Sequence, residues 1–219
     1  QLRSESQSRP SCVYVAGPPG TGKSHLARLF VQESGGGGKL VLASEFAAEL
    51  AEAAQLKAVA AFQERYRRLN TLVCEDLQAL AGRSESQLQL LAVVDDLLGR
   101  GGRVLLTASR LPGRLDRFDN KLVSRCRGGL VVSVRRPGPA SRLQLLEHFA
   151  SRRQVPLPAD AAQVLAQKIT GSPRDLLAAL GQLETLARIS GGVIDTKMAT
   201  SMVSEDTTAD PPGLQQITR

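Results

Sequence analysis

The stretch Gly17-Pro18-Pro19-Gly20-Thr21-Gly22-Lys23-Ser24 matches the phosphate-binding pattern G-x-x-x-x-G-K-[ST] at every fixed position. The apolar residues 12–16 before it predict a buried strand, and Leu26, Leu29 and Phe30 after it recur at helical spacing. In a strand–loop–helix arrangement, backbone N–H groups and a helix N-terminus converge on one anion. The competing explanation is a chance glycine turn between a strand and a helix. With this context on both sides, the sequence predicts a nucleoside triphosphate site.

Individual residues of this loop suit the parts of a bound triphosphate. Gly17 and Gly22 allow backbone conformations and close approaches that a Cβ atom would block. Lys23 is long enough to reach the outer phosphates, and the Ser24 hydroxyl is an oxygen ligand suited to Mg²⁺. The expected ligands are therefore a nucleoside triphosphate and Mg²⁺.

Composition restricts the class of protein. The 219 residues are enough for one α/β domain and a small satellite, and 42% of them are hydrophobic. No apolar run approaches the roughly 20 residues needed to span a bilayer, and the first residues lack the apolar segment of a signal peptide. The three cysteines have no C-x-x-C spacing, which favours reduced thiols over disulfides or zinc. We expect a cytoplasmic protein with no membrane segment.

The positive charge is concentrated in one part of the chain. The formal net charge is +7, and residues 1–136 carry all of it, with 20 basic and 13 acidic side chains. Residues 100–136 alone hold 10 basic and 2 acidic side chains. Such a patch suits phosphate, either of a nucleic acid or of a nucleotide on a neighbouring subunit. A solvated basic face is the alternative interpretation.

The order of predicted elements indicates an α/β domain followed by helices. Strands are expected at 12–16, 39–43, 71–75, 103–108 and 129–134. Helices are expected at 23–33, 44–69, 84–98 and within 112–125, and then at 140–151, 159–169, 173–188 and 195–203. Strands separated by helices favour a five-stranded parallel sheet covered on both faces. We therefore expect a nucleotide-binding α/β domain over residues 1–136, a small all-helical domain over 137–203, and a linker or tail over 204–219.

The segment 44–70 is unusual because it contains neither Gly nor Pro. One straight helix there would be about 40 Å long, more than a small sheet can cover. We expect two helices that meet near Ala51–Leu56, with Val59, Phe62 and Tyr66 of the second helix packed inward. A single long amphipathic helix is the alternative.

Polar residues follow two of the predicted strands. The run Leu72–Asp76 is an apolar strand that ends in two carboxylates, Glu75 and Asp76. Acidic groups in this position hold Mg²⁺ and orient the attacking water in nucleotide hydrolases. The sequence leaves open which of the two residues holds Mg²⁺ and which orients the water. The run Val104–Ser109 ends in the hydroxyls of Thr107 and Ser109. These either touch the γ-phosphate or the attacking water, or simply finish a strand.

Two arginines are candidates for balancing phosphate charge. Arg125 follows a charged helical segment and either stays within its own subunit or points across an interface. Arg174 lies at the start of a well-capped helix, with Ser172 as N-cap, Pro173 at the first position and Asp175 in the first turn. From there Arg174 either swings onto the phosphates or faces solvent.

These motifs together resemble the AAA+ ATPases and, within that class, the bacterial replication initiators of the DnaA family. The resemblance covers roughly residues 11–203, and an extra helix in 44–70 falls where the family carries its initiator-specific insertion. The matching residues are Gly17–Ser24 with His25-Leu26, Ser44-Glu45-Phe46, Phe62 with Arg65-Tyr66-Arg67, Leu72–Gln78, Leu106-Thr107 with Arg110 and Pro112, Ser124-Arg125 before Gly129-Leu130, and Arg174-Asp175-Leu176 with Ala179-Leu180.

The resemblance implies a fold and a set of roles. The fold would be a three-layer AAA+ sandwich with a helical lid domain. Gly17–Ser24 would be Walker A, with His25 beside the nucleotide, and Glu75-Asp76 would be Walker B. Ser109 would be sensor 1, Arg125 the arginine finger that completes a neighbour's site, and Arg174 sensor 2.

The resemblance also implies partners. ATP-bound subunits of such initiators stack into a right-handed filament, engage single- and double-stranded origin DNA and open it, and a replicative helicase is a further partner. Slow ATP hydrolysis would reset this switch. The single-strand contacts of the family fall near Ala51 and on Arg83 and Glu85. Duplex DNA would be read by a helix-turn-helix module that this chain lacks, so the chain would be either an excised domain or a shorter relative.

The chain departs from the family pattern at three positions. Glu75 stands where Asp is usual, Ser109 stands where an acid is usual, and Glu85 stands where a basic residue contacts single strands. Three other functions therefore stay open beside the initiator module. They are a DnaA-related regulator without a duplex reader, a helicase-loader ATPase, and a scaffold that binds nucleotide without turnover.

Overall fold

The structure is a computed structural model that describes residues 10–206, and these residues form two compact units whose boundary falls between Arg135 and Arg136. The first unit alternates strands and helices. Its elements are β1 (Cys12–Ala16), α1 (Lys23–Gln32), β2 (Gly38–Leu42), α2 (Ala43–Gln55), α3 (Val59–Arg67), β3 (Thr71–Glu75), a 3₁₀ turn (Leu77–Leu80), α4 (Ser84–Gly99), β4 (Arg103–Ala108), a second 3₁₀ turn (Pro112–Arg114), α5 (Asn120–Arg127) and β5 (Leu130–Ser133). The second unit is helical, with α6 (Pro139–Arg153), α7 (Ala159–Lys168), α8 (Pro173–Ser190) and α9 (Thr196–Asp206).

The five strands form one parallel sheet in the order β2-β3-β4-β1-β5. Ala16 pairs with Ala108 on one side and with Ser133 on the other, and Leu42 pairs with Glu75. The carboxyl ends of the strands therefore meet at one edge of the sheet. In open parallel sheets this is the edge at which ligands bind.

The sheet is covered on both faces, as expected for a parallel sheet. Every residue of β1 and β3 is buried. Tyr14 and Ala16 belong to the core on one face, and Val13 and Val15 belong to the core on the other. The expected three-layer α/β architecture with a five-stranded parallel sheet is therefore confirmed.

The segment between β2 and β3 forms two helices rather than one long helix. The helical conformation is interrupted at residues 56–58, where Lys57 has a φ of 54°. The break lies at the end of the range that we expected. Phe46 of α2 packs against Phe62 and Tyr66 of α3 with ring centroids 5.3 and 5.2 Å apart. Because all three rings are almost fully buried, this aromatic cluster fixes the angle between the helices.

The boundary between β2 and α2 differs from the expectation by one residue. The strand was expected at 39–43 and runs over Gly38–Leu42, and Ala43 already begins the helix. The Glu45 side chain explains the shift, since its Oε2 accepts a hydrogen bond from the Leu42 backbone N–H at 3.1 Å. A carboxylate three residues into a helix satisfies a donor that the first turn leaves unpaired.

The second unit has its own core, built from the facing sides of its helices. Arg142 is buried in it, and its guanidinium donates to the carbonyls of Ala166 at 2.6 Å and Pro137 at 3.0 Å. The last helix reaches Asp206, three residues into the segment expected as a tail, and 207–219 lie outside the described residues. Over residues 10–206, every helix is too short or too polar to cross a membrane.

Candidate nucleotide-binding site

The loop Gly17–Ser24 joins β1 to α1 at the carboxyl edge of the sheet. Gly20 and Gly22 have φ angles of 78° and 94°, a left-handed conformation that other residues rarely adopt. Gly17 donates its N–H to the Ala108 carbonyl at 3.1 Å. A Cβ atom on Gly17 would lie 2.5 Å from the Val134 carbonyl oxygen. The loop is therefore held close to the end of β4 and to the segment after β5, and Gly17 tolerates no side chain.

The interior of the loop is closed by its own side chains. Thr21 Oγ1 donates to the Pro18 carbonyl at 2.8 Å. Lys23 Nζ donates to the carbonyls of Gly17 and Pro18 at 2.8 and 3.0 Å. Burial lowers the pKa of Lys23, and the carboxylates of Asp76 and Glu75 act in the opposite direction. A nearly buried ammonium that is bound only by neutral carbonyls is poised to exchange them for an anionic partner.

Helix α1 presents its N-terminus to the loop. Gly22 is the N-cap, and among the described residues no side chain caps the first turn of α1. The first turn also contains no acidic residue. Its backbone N–H groups and the positive end of the helix dipole are therefore available to a phosphate group.

Ser24 and Glu75 bring two oxygen ligands together beside the loop. Ser24 Oγ donates to Glu75 Oε2 at 2.5 Å, and Glu75 is only 4% exposed. A hydroxyl and a buried carboxylate in contact form a donor set that suits Mg²⁺, which prefers hard oxygen ligands. Although Glu75 is one methylene longer than the usual Asp, it still reaches the serine. The residues therefore fit a magnesium ion.

Asp76 is exposed, whereas Glu75 is buried. The backbone of Asp76 is held by the neighbouring strand. It adopts a left-handed conformation with φ 58° and ψ 51°. Its N–H donates to Thr107 Oγ1 at 3.1 Å, and Thr107 is fully buried on β4. Thr107 therefore supports Asp76 from the adjacent strand, so this strand-end hydroxyl does more than finish β4.

Ser109 lies immediately after β4, at the same edge of the sheet as the loop. Its backbone N–H donates to Gln78 Oε1 at 3.0 Å, and Gln78 Nε2 donates to Asp76 Oδ1 at 3.0 Å. Sequence reasoning assigned no role to Gln78. The one local sign of its role is an amide side chain two residues after Asp76. Its partner Ser109 is 31 residues away along the chain, so local sequence patterns do not predict this contact.

Arg125 lies in the last turn of α5 and is bound within its own subunit. Its Nε lies 2.5 Å from Asp95 Oδ1 on α4, and both side chains are nearly half exposed. Together with Leu91 and Lys121 they line an open cleft on the first unit. The guanidinium is therefore accessible from solvent, although it is ion-paired.

The other predicted site residues lie at the surface. His25, Ala51, Arg83 and Glu85 are all exposed, and Arg83 is the N-cap residue of α4. Arg174 belongs to the second unit and is exposed in the first turn of α8.

The predicted start of α8 is confirmed. Ser172 is the N-cap and Pro173 is the first helical residue. Asp175 Oδ2 accepts hydrogen bonds from the Ser172 N–H at 2.6 Å and from the Ser172 hydroxyl at 3.0 Å.

The chain is similar to known proteins in sequence and in fold. The family model for the bacterial DnaA ATPase domain matches residues 3–133. The chromosomal replication initiator protein DnaA of Desulfatibacillum aliphaticivorans is 30% identical over 197 residues, which are 87% of this chain and 43% of that protein. The chain therefore spans less than half the length of this relative.

Solved structures share the fold. Domain III of the Thermotoga maritima replication initiation protein DnaA matches with a TM-score of 0.83 at 23% identity, covering 92% of this chain and 86% of that one. A replication initiator DnaA bound to AMPPCP and single-stranded DNA matches with a TM-score of 0.75 at 21% identity, covering 80% of this chain and 55% of that one. Since the family model extends over more than half of the 219 residues, the chain belongs to the bacterial DnaA ATPase domain family.

Proposed function

We propose that this chain is the ATP-dependent switch module of a replication initiator. The ATP-bound form assembles with further copies of itself and engages origin DNA, and slow hydrolysis returns it to the unassembled form. In this proposal the first unit is the nucleotide-binding base domain and the second unit is its lid. The observation that carries the proposal is the loop Gly17–Ser24, with its buried lysine and the Ser24–Glu75 contact beside it. Family membership supports it, as does the complex that a structurally similar DnaA forms with AMPPCP and single-stranded DNA.

Each residue around the loop has a distinct role in this proposal. Lys23 and the loop N–H groups neutralise the β- and γ-phosphates, as in other phosphate-binding loops. Ser24 and Glu75 hold Mg²⁺, which neutralises charge on the phosphate oxygens when it is bound. The buried Glu75 beside Ser24 suits the metal, and the exposed Asp76 suits a water molecule that it orients for attack. The geometry thus favours one of the two assignments that the sequence left open.

Arginines from two directions complete the proposed charge balance. We assign Arg125 of one subunit to the γ-phosphate of the next subunit, and Arg174 to the phosphates of its own subunit. Ser109 contacts the γ-phosphate region from the end of β4. Fixed positive groups aimed at the transferring phosphoryl group stabilise the charge that develops on it.

Contacts with single-stranded DNA are proposed at Ala51 and Arg83, two exposed residues of the first unit. Arg83 supplies a positive charge at the N-terminal end of α4, where a phosphate is doubly favoured. Glu85, in the first turn of the same helix, repels phosphate. The proposed strand contact therefore depends on Arg83, and duplex recognition is assigned to a module outside this chain.

Replacing Asp76 with alanine is expected to slow ATP hydrolysis by about a hundredfold, within the range that a positioned general base contributes. Affinity for Mg-ATP is expected to change by less than about threefold, because Asp76 faces the attacking water rather than the bound phosphates. Single-turnover hydrolysis at saturating Mg-ATP measures the rate, and calorimetry with AMPPCP measures the affinity.

The matched control is Asp96→Ala, which removes an exposed carboxylate that pairs with Arg100 on α4. Both rate and affinity should stay at the wild-type level in this variant. Equal hydrolysis by wild type and Asp76→Ala would remove Asp76 from the mechanism. If neither protein hydrolysed ATP at a measurable rate, the chain would instead be a nucleotide-binding scaffold without turnover.

Asp95 competes with a neighbour's nucleotide for Arg125 in this proposal. Asp95→Asn is therefore expected to lower the protein concentration needed for ATP-dependent assembly by about two- to fivefold. This is the effect expected from losing an exposed ion pair worth about 0.4–1 kcal/mol. Sedimentation velocity over a range of protein concentrations in Mg-ATP measures the shift.

Asp116→Asn is the matched control, because Asp116 forms an exposed ion pair with a different arginine, Arg110, at 2.8 Å. It should leave the assembly concentration unchanged. Weaker assembly in Asp95→Asn than in wild type would mean that Asp95 orients Arg125 productively instead of restraining it.

A further inference from the structure

Gln78 connects the two strand ends that face the nucleotide loop. It lies in the 3₁₀ turn directly after β3, with its side chain half buried. Its Nε2 donates to Asp76 Oδ1 at 3.0 Å, and its Oε1 accepts from the Ser109 N–H at 3.0 Å. An amide has one donor end and one acceptor end, and here each end is matched to a partner of the opposite kind. The two contacts therefore fix the orientation of the amide.

The backbone of Asp76 is fixed independently of Gln78. Its left-handed conformation is anchored through the hydrogen bond from its N–H to the buried Thr107 hydroxyl. The carboxylate itself is exposed, and an exposed Asp side chain samples several rotamers unless a partner selects one. Gln78 supplies such a partner. The Thr107 contact therefore fixes the backbone position of Asp76, and the Gln78 contact fixes the direction of its carboxylate.

We propose that Gln78 is a positioning residue that orients the Asp76 carboxylate for ATP hydrolysis. One carboxylate oxygen accepts from the Gln78 amide, which leaves the other oxygen to accept a hydrogen bond from the attacking water. The second end of the amide ties this orientation to Ser109, at the end of β4. The inference rests on the proposed function, in which Asp76 acts on that water.

A positioning residue affects the rate of ATP hydrolysis and not the affinity for ATP. Without Gln78 the carboxylate keeps its charge and its backbone position, so ATP binding has no reason to weaken. The carboxylate then spends only part of its time in the productive rotamer, and misplacing a catalytic group by about 1 Å costs up to a hundredfold in rate. We expect a loss of about tenfold, since the productive rotamer stays accessible.

The test uses Gln78→Met, which preserves side-chain length and removes both hydrogen bonds. We expect single-turnover ATP hydrolysis to be about tenfold slower, with the Kd for AMPPCP within twofold of wild type. Gln78→Glu keeps an acceptor for the Ser109 N–H but replaces the donor with a second carboxylate. It is expected to be at least as slow as Gln78→Met. Rescue of the rate by Glu would overturn the proposal, because the donor end would then be unnecessary.

Gln63→Met is the matched control. Gln63 is also half buried, and it donates to Gln89 Oε1 at 3.0 Å between α3 and α4. The same substitution there removes one glutamine hydrogen bond and should leave hydrolysis unchanged. A comparable slowing in Gln63→Met would indicate a general loss of structure and would overturn the specific role of Gln78.

A double-mutant cycle separates positioning from a merely structural effect. Because Gln78 acts through Asp76, adding Gln78→Met to Asp76→Ala should slow hydrolysis no further. Full additivity of the two effects would overturn the inference. If Asp76→Ala alone left the rate unchanged, the proposed role of Asp76 would fail first. If Asp76→Ala slowed hydrolysis but Gln78→Met did not, only the inference about Gln78 would fail.

Discussion

Lys23→Ala is expected to weaken Mg-ATP binding by at least about a hundredfold. Hydrogen bonds from a charged donor contribute about 1.5–3 kcal/mol each, and each 1.4 kcal/mol is a factor of ten in affinity. In the structure Lys23 Nζ donates to two carbonyls of its own loop. We expect Lys23 to exchange these contacts for phosphate oxygens on binding. The variant would then lose the phosphate contacts, and the loop Gly17–Ser24 contains no other cation to replace them.

The loss of affinity should not be accompanied by unfolding. Lys23→Ala removes two hydrogen bonds to loop carbonyls but also removes a buried ammonium, whose desolvation is costly. Because these effects oppose each other, thermal stability should stay close to wild type. Lys39→Ala serves as the control, because Lys39 pairs with Glu49 at 2.9 Å and lies at the start of β2, away from the carboxyl edge. Calorimetry should detect ATP binding by Lys39→Ala at near wild-type affinity. Tight binding by Lys23→Ala would place the triphosphate somewhere other than this loop.

Arg125→Ala is expected to abolish ATP-dependent assembly while leaving the affinity of the single subunit for ATP unchanged. Arg125 pairs with Asp95 on α4, which belongs to the cleft and not to the nucleotide loop. If Arg125 completes a neighbour's site, its loss removes one interaction from every subunit interface. In a filament this loss would be repeated at every interface, so a modest change at one interface would become a large change in assembly. Sedimentation velocity in Mg-ATP and in Mg-ADP measures the assembly of Arg125→Ala and of the wild type.

Arg127→Ala provides a close control for this prediction. Arg127 lies in the same last turn of α5 and is also exposed, so it matches Arg125 in charge and in position along the helix. It should assemble as wild type does. Arg125→Lys keeps the charge but not the planar fork that matches phosphate, and it is expected to assemble poorly. Normal assembly by Arg125→Ala would contradict the switch.

The sequence predicted the elements of the sheet because their signals are local. The central strands β1, β3 and β4 lie within apolar runs, and their bounds agree with the structure residue by residue. The capped start of α8 was equally predictable, since Ser172, Pro173 and Asp175 act within one helical turn. The pattern over Gly17–Ser24 is also local, which is why the sequence placed this loop correctly between β1 and α1.

The contacts between strand ends were not predictable in the same way. The bonds of Asp76 to Thr107 and of Gln78 to Ser109 each join residues 31 positions apart. They depend on the exact register of β3 against β4, which hydrophobic patterning does not specify. The ion pair between Arg125 and Asp95 similarly depends on how α4 packs against α5. The sequence therefore indicated which polar residues lie at the carboxyl edge of the sheet, and the structure shows which of them contact one another.

A crystal structure of this chain with Mg²⁺ and AMPPCP would test the central claim most directly. We expect the triphosphate to lie against the N–H groups at the start of α1, with Mg²⁺ held by Ser24 and Glu75. Lys23 Nζ should have left the Gly17 and Pro18 carbonyls for the outer phosphates. A nucleotide bound at any other surface, with Lys23 still on its two carbonyls, would contradict the account.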